Sequence, residues 1–119
     1  MAAPNLKTPT TITGKTLSYA VTASLATVLT NAAASGKVFK INSVYCTNVD
    51  GTNSADIDLA YNNGTTDVYM AYRIAVPGRA TQILVSRESY IYLQEGESLK
   101  ANASAVSDLV LVISYEEIS

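Results

Sequence analysis

Two glutamates, Glu95 and Glu97, flank Gly96 in the stretch "IYLQEGESLKANA". Carboxylates two residues apart on an extended chain stand ~7 Å apart, a separation at which one can act as acid and the other as base or nucleophile on a glycoside. That chemistry needs one of the pair in a cleft, with its pKa raised. A glycine between two alternating apolar runs instead marks a turn, where water keeps both carboxylates ordinary. The expectation is a solvent-facing hairpin that separates two strands. Catalysis by Glu95 and Glu97 is the alternative.

A second set of oxygen ligands, Asp50, Asn53, Asp56 and Asp58, surrounds the turn in "DGTNSADID". Oxygen-rich loops hold calcium, but this spacing does not follow the EF-hand pattern, and "NVDG" also opens an ordinary hairpin. A calcium site on Asp50, Asp56 and Asp58 stays open. The chain has no histidine and one cysteine, Cys46. These counts remove Ser-His-Asp and Cys-His catalysis, histidine-containing zinc sites and an internal disulfide. Cys46 in "SVYCTNV" reads as a small inert core residue. Phosphate-cradling motifs of the "GxxxxGK[ST]" or "GxGxxG" type are absent. The expectation is a protein that is not an enzyme and uses no cofactor.

The chain has eight tyrosines and no tryptophan. Strict alternation places Tyr69 and Tyr72 on opposite faces of one strand and Tyr90 and Tyr92 on the same face. Paired aromatics on a sheet can stack on sugar rings, and they also populate subunit interfaces. Both a glycan site and an interface on Tyr90 and Tyr92 are therefore carried forward.

These side chains must be positioned by β-strands. Period-two alternation runs through "DIDLAY", "DVYMAYRIAVP", "YIYLQ", "LKANA" and "DLVLVISYEEI". In the second of these, Val68, Met70, Tyr72, Ile74 and Val76 would share one face. Turn chemistry separates the runs at "NAAASGK", "VDGTNS", "NNGTT", "VPGR", "QEGE" and "SAVSD". The pattern predicts an all-β chain, a single antiparallel β-sandwich of jelly-roll or Ig-like type with about seven to nine strands. The stretch "SLATVLTNAAAS" has some helical spacing, but its threonines and valine favour a strand. Residues 1–16, with Pro4, Pro9 and many threonines, read as an extended N-terminal arm that ends in an edge strand at "TTIT". Residues 17–119 form the sandwich.

At 119 residues the chain suits one hydrophobic core. Its residues are 48% hydrophobic and 15% charged, against roughly 25% charged in an average soluble domain. Part of so uncharged a surface is expected to be covered. Several strands read as apolar on both faces: Val110 and Val112 oppose Leu109, Leu111 and Ile113; Tyr90 and Tyr92 oppose Ile91 and Leu93; Val44 and Cys46 lie among Phe39 and Ile41. A sandwich buries one face of each strand, so a neighbouring subunit would cover the other. Local closure of a barrel is the alternative.

The net charge of −2 offers no field for nucleic acid. The charges are unevenly placed. Lys7, Lys15, Lys37 and Lys40 precede residue 50 with no carboxylate among them, whereas Glu95, Glu97, Asp108, Glu116 and Glu117 crowd the other end. Head-to-tail attraction between copies is one reading, with Lys7, Lys15, Glu116 and Glu117 in the contact, and chance is the other. The start "MAAPNLKTPT" has no apolar core of a secretory signal, and no run reaches the ~18 apolar residues of a membrane span. The chain is expected to be made and folded in a cytoplasm, away from membranes.

Three longer stretches, "MAAPN…TTITGKT", "NAAASGKVFKINSVYCTNVDGTNSADID" and "IYLQEGESLKANASAVSDLVLVISYEEI", together resemble the small virion structural proteins of marine tailed phages, especially those of cyanobacteria. The similarity spans nearly the full length and carries fold-defining rather than catalytic motifs. It implies a β-sandwich subunit located in the virion. Its first form is a capsid decoration (cement) protein, a homotrimer bound over joints between major capsid proteins. A tail, neck or baseplate component, or a carbohydrate-binding host-adhesion module, is the alternative.

Overall fold

The structure, a computed structural model, describes residues 4–119. It contains nine strands: β1 (Ile12–Ala20), β2 (Ala26–Thr30), β3 (Val38–Asn48), β4 (Ala55–Asn62), β5 (Asp67–Val76), β6 (Thr81–Val85), β7 (Ile91–Leu93), β8 (Ser98–Ala103) and β9 (Leu109–Ile118). The only helical element among the described residues is one 3-10 turn, Arg87–Ser89, and no helix there is long and apolar enough to cross a membrane. The stretch "SLATVLTNAAAS" contains strand β2 and no helix, as its threonines and valine indicate.

Every pairing is antiparallel. One sheet runs β1-β9-β3-β6, with β7 also on β3, and the other runs β2-β8-β4-β5. The order follows from folding one long hairpin on itself. Its tip is the β4–β5 turn, its ends are β1 and β9, and wrapping it brings β9 onto β3 and β8 onto β4. This is a jelly roll. The Ig-like alternative would place β1 beside β2 in one sheet, whereas here they lie in different sheets.

The core lies between the sheets and is made from alternating residues. Leu109, Leu111 and Ile113 of β9 pack with Ile57, Leu59, Leu99, Ala101 and Leu93. Each large aliphatic side chain contributes about 1.5–3 kcal/mol on leaving water. The two-faced reading of β3 is corrected. A register shift between Ile41 and Ser43 inserts Asn42, and a bulge reverses the alternation beyond it. Phe39, Ile41, Val44 and Cys46 therefore all belong to the one core.

Two boundaries also move. β1 begins at Ile12 and pairs with β9 without a shift from Ile12↔Ile118 to Ala20↔Val110. The arm–domain division drawn at residue 16 thus falls inside a strand, and residues 1–3 of the arm lie outside the described residues. "QEGE" is not a hairpin. β7 belongs to the first sheet and β8 to the second, so residues 94–97 carry the chain across the sandwich.

Two buried asparagines hold the loops at strand ends. Asn31, fully buried after β2, donates from Nδ2 to the carbonyls of Lys37 (2.9 Å) and Leu93 (3.0 Å). Asn48, at the end of β3, donates from Nδ2 to the carbonyls of Asn53 (2.9 Å) and Val76 (2.8 Å) and accepts from the Asp50 amide (2.9 Å). Gly78 lets the β5–β6 turn approach this second group, since a Cβ there would stand 2.9 Å from the Asp50 carbonyl oxygen.

Candidate assembly surface

Glu95, Glu97, Asp50 and Asp58 are used as structural ties. In the inter-sheet turn, Glu95 Oε2 accepts from the Gly36 amide at 3.0 Å. Glu97 Oε1 accepts from the Gln94 amide at 2.7 Å, and its Oε2 accepts from the Tyr61 hydroxyl at 2.5 Å. That last bond holds the Tyr61 proton and pushes its pKa up to about 12. Both glutamates are half-buried, so the solvent-facing corner expected of "QEGE" is a lock that ties its own turn to the β2–β3 loop and to strand β4. Asp50 closes its own loop: its Oδ1 accepts from the Thr52 amide (3.0 Å) and hydroxyl (3.2 Å), which lowers its pKa, the amide bond first among the causes. Asp58 is elsewhere, with Oδ1 accepting from the Arg73 amide at 2.6 Å. It shares a shallow depression of about 330 Å³ with Asp56, Arg73 and Asn102. No group of three or more Cys, Asp or Glu is gathered among the described residues, so Asp50, Asp56 and Asp58 do not form one ligand set. Cys46 is buried, and desolvation pushes its thiol up to about 11.

The uneven charge is resolved within one chain. β9 is flanked by the lysine-bearing strand β1 and the start of β3. Lys15 Nζ lies 2.9 Å and Lys37 Nζ 3.1 Å from the two Glu117 carboxylate oxygens. The Lys15 bond foremost, then Lys37, holds Glu117 below the usual carboxylate range, and Lys15 is raised in turn. The attraction expected between copies for Lys15 and Glu117 is thus met inside the molecule. Lys7 is exposed ahead of β1.

The outer face of the first sheet gathers Tyr92, Lys40 and Glu116 across β7, β3 and β9. Tyr90 and Tyr92 do share a side, their rings 5.6 Å apart and nearly perpendicular, and the Lys40 ammonium lies 4.4 Å from the Tyr90 ring centre. A groove of about 390 Å³ opens beside them, lined among others by Asn42, Tyr45, Ile83, Arg87 and Glu116. Val110 and Val112 lie farther along β9 and are only half-buried.

A row of exposed apolar side chains lies on β5, where alternation placed Val68, Met70, Tyr72, Ile74 and Val76 on one face. Register shifts at Ile57/Leu59 and Leu59/Ala60 in its pairing with β4 leave two extra residues in β5, and Arg73 adopts φ +52°. These bulges break the expected face. Val68 is 50% and Tyr72 53% exposed, with Tyr69, Met70 and Ile74 exposed as well. Tyr69 and Tyr72, expected on opposite faces, instead pack together with ring centres 4.8 Å apart. Toward the first sheet, Val68 and Met70 join Tyr61, Ile91 and Tyr92 around an apolar cleft of about 170 Å³. An edge strand with apolar side chains open to water marks an interaction surface.

Sequence reasoning missed β5 as a surface because no glycine or proline in "DVYMAYRIAV" signals the bulges. It also missed Asn31 and Asn48, for which a signal existed: each follows a threonine at the end of an apolar run, in "LTNAAASG" and "CTNVDGTN".

No protein-family model and no curated protein matches the chain. Among solved structures, a subunit of the disulfide-linked pili that form Bacillus endospore appendages superposes with TM-score 0.53 at 13% identity, over 92% of this chain and 87% of that one. A pentameric capsid protein from metagenomic phage sequences gives TM-score 0.41 at 14% identity, over 87% of this chain and 61% of that one. The extra small virus of the giant freshwater prawn Macrobrachium rosenbergii gives 0.42 at 14%, over 98% and 86%. The pilus subunit shares the fold.

Proposed function

We propose that the chain is a non-enzymatic structural subunit of a virion that self-associates through the β5 side of its sandwich. The observation that carries this is the row Val68, Tyr69, Met70, Tyr72 and Ile74, open to water beside an apolar cleft. Jelly rolls serve in both viral capsids and lectins, so the fold by itself is compatible with either use. The tyrosine pairs favour assembly. Their rings meet at 58° and 84°, so neither pair presents two coplanar rings to a sugar, and Arg73 and Lys40 lie against Tyr72 and Tyr90. Of the carboxylates first considered for catalysis or metal binding, Glu95, Glu97, Asp50 and Asp58 are each engaged in holding a loop or strand. The sequence resemblance to small virion proteins of marine tailed phages supports capsid decoration: a homotrimer bound over joints between major capsid proteins, with Lys7 and the residues before β1 reaching a neighbour.

The test is the solution mass by light scattering over a hundredfold concentration range, for the natural chain and Met70→Glu. The expected result is an assembly containing trimers that Met70→Glu dissolves, with circular dichroism unchanged. A natural chain that is monomeric throughout, or a Met70→Glu variant of unaltered mass, overturns the β5 interface. Glycan binding lost on Tyr72→Ala or Tyr90→Ala would replace it with the adhesion reading.

A further inference from the structure

A sandwich of this kind has four edge strands, and three are visibly interrupted. β2 has a register shift between Thr27 and Leu29. β5 carries its two bulges. β6 and β7 share one side of β3 but are separated by the 3-10 turn Arg87–Ser89. Such interruptions are how sheets avoid pairing with other chains. β1 has none: it runs nine residues without a shift.

Its free hydrogen-bonding groups can be identified. Thr11 and Ser119 exchange both backbone bonds, Ser119 N to Thr11 O at 2.8 Å and Thr11 N to Ser119 O at 2.9 Å. Val21 N donates to Leu109 O at 3.0 Å at the other end. In an antiparallel ladder bonded residues alternate, so Thr13, Lys15, Leu17 and Tyr19 turn their backbone groups to β9. Gly14, Thr16, Ser18 and Ala20 then turn theirs outward. No backbone partner meets them among the described residues.

We propose that this edge pairs with the β1 edge of a second copy about a two-fold axis, joining two five-stranded sheets into one. Antiparallel strands are self-complementary, so an identical edge always offers the matching ladder. One register satisfies both backbone and side chains. Thr16 faces Ser18 of the second copy and Gly14 faces its Ala20, using the outward groups. Leu17 then meets Leu17 of the second copy at the axis, a close non-hydrogen-bonded pair, and Lys15 faces Tyr19. Charge permits the approach. Lys15 is the strand's one charged residue and is already paired with Glu117, and its half-exposed ammonium gains an aromatic partner. The contact lies on the opposite side of the sandwich from β5, so it stands or falls separately from the trimer.

The test is mild oxidation of Leu17→Cys followed by non-reducing electrophoresis. Cα atoms of a close antiparallel pair lie ~4.5 Å apart, within disulfide reach, and buried Cys46 does not compete. A covalent dimer is expected, in the Met70→Glu background as well. Thr16→Pro, which removes only an outward N–H, should weaken dimerisation roughly tenfold or more. The amides of Thr16 and Ser18 should be protected from hydrogen exchange in concentrated protein and lose that protection on dilution. A folded Leu17→Cys variant that forms no covalent dimer, or exchange at Thr16 and Ser18 that ignores concentration, overturns the pairing.

Discussion

β5 and β9 are the same length and look alike as text, "DVYMAYRIAV" and "LVLVISYEEI". In the folded chain they are opposites. β9 lies between β1 and β3, and its Leu109, Leu111 and Ile113 are fully buried. β5 ends its sheet, and of its larger apolar side chains only Val76 is buried. Alternation reports that a strand has two different faces. Which strand becomes central is decided by topology, through the wrapping of the hairpin that puts β9 against β3. One strand therefore serves stability and the other is left for recognition.

The widest separation between them should appear on truncating a single side chain in each. Leu111→Ala removes a fully buried residue of the core and should cost about 3 kcal/mol in urea unfolding. Met70→Ala on β5 should cost less than about 1 kcal/mol and should instead weaken self-association. Equal losses in a dilute, monomeric sample would mean that β5 belongs to the core after all.

That contrast also shows how far the sequence could be read. The all-β class, the strand order in the chain and the buried faces of β8 and β9 follow from period-two patterns, because those strands run without bulges on their core side. The errors fall where one extra residue enters a ladder. Asn42 made β3 look two-faced, and the extra residues of β5 moved Tyr69 and Tyr72 to one side. Bulges arise from pairing between distant segments, so nothing local in "DVYMAYRIAV" announces them. "QEGE" was misread as a hairpin for a related reason: a turn residue marks a change of direction, and the sheet entered afterwards is a tertiary matter. The lysine and glutamate asymmetry was visible at once, but only the adjacency of β1, β3 and β9 shows that it closes within one molecule.

The far ends of β9 and β5 offer a finer comparison, since each carries an ion pair. The Glu117 side chain is 14% exposed and held by two lysines, whereas Asp67, 32% exposed, meets Lys100 at 3.3 Å. Glu117→Gln should cost about 1 kcal/mol at neutral pH, and Asp67→Asn should have no resolvable effect. The pH dependence has a definite sign. The folded-state pKa of Glu117 is depressed, so its contribution is present above the unfolded value of about 4.3 and is lost as pH falls through the lower folded value. Lys15 is raised, so its share disappears only as pH climbs past about 10.4. Unfolding curves of the natural chain and Glu117→Gln should converge below about pH 4. A constant gap down to pH 2 would show that the charge is not what Glu117 contributes.

The smallest effect tests what made the two strands different. Arg73 holds φ +52° in the β5 bulge, with its amide bonded to Asp58 and its guanidinium 5.1 Å from the Tyr72 ring centre. A left-handed residue other than glycine costs about 1–2 kcal/mol, and glycine removes that cost. It also loses a cation–π contact of about 0.5–1 kcal/mol and gives the unfolded chain more freedom. These terms nearly cancel, so Arg73→Gly should shift stability by a few tenths of a kcal/mol in either direction. The near-ultraviolet signal of the Tyr69–Tyr72 pair should persist, because the bulge remains. Arg73→Val is the informative partner, since a β-branched residue resists positive φ. It should destabilise the chain more than glycine does and separate the two rings. If valine left both stability and the tyrosine signal intact, β5 could run straight, and the strand would have no local reason to differ from β9.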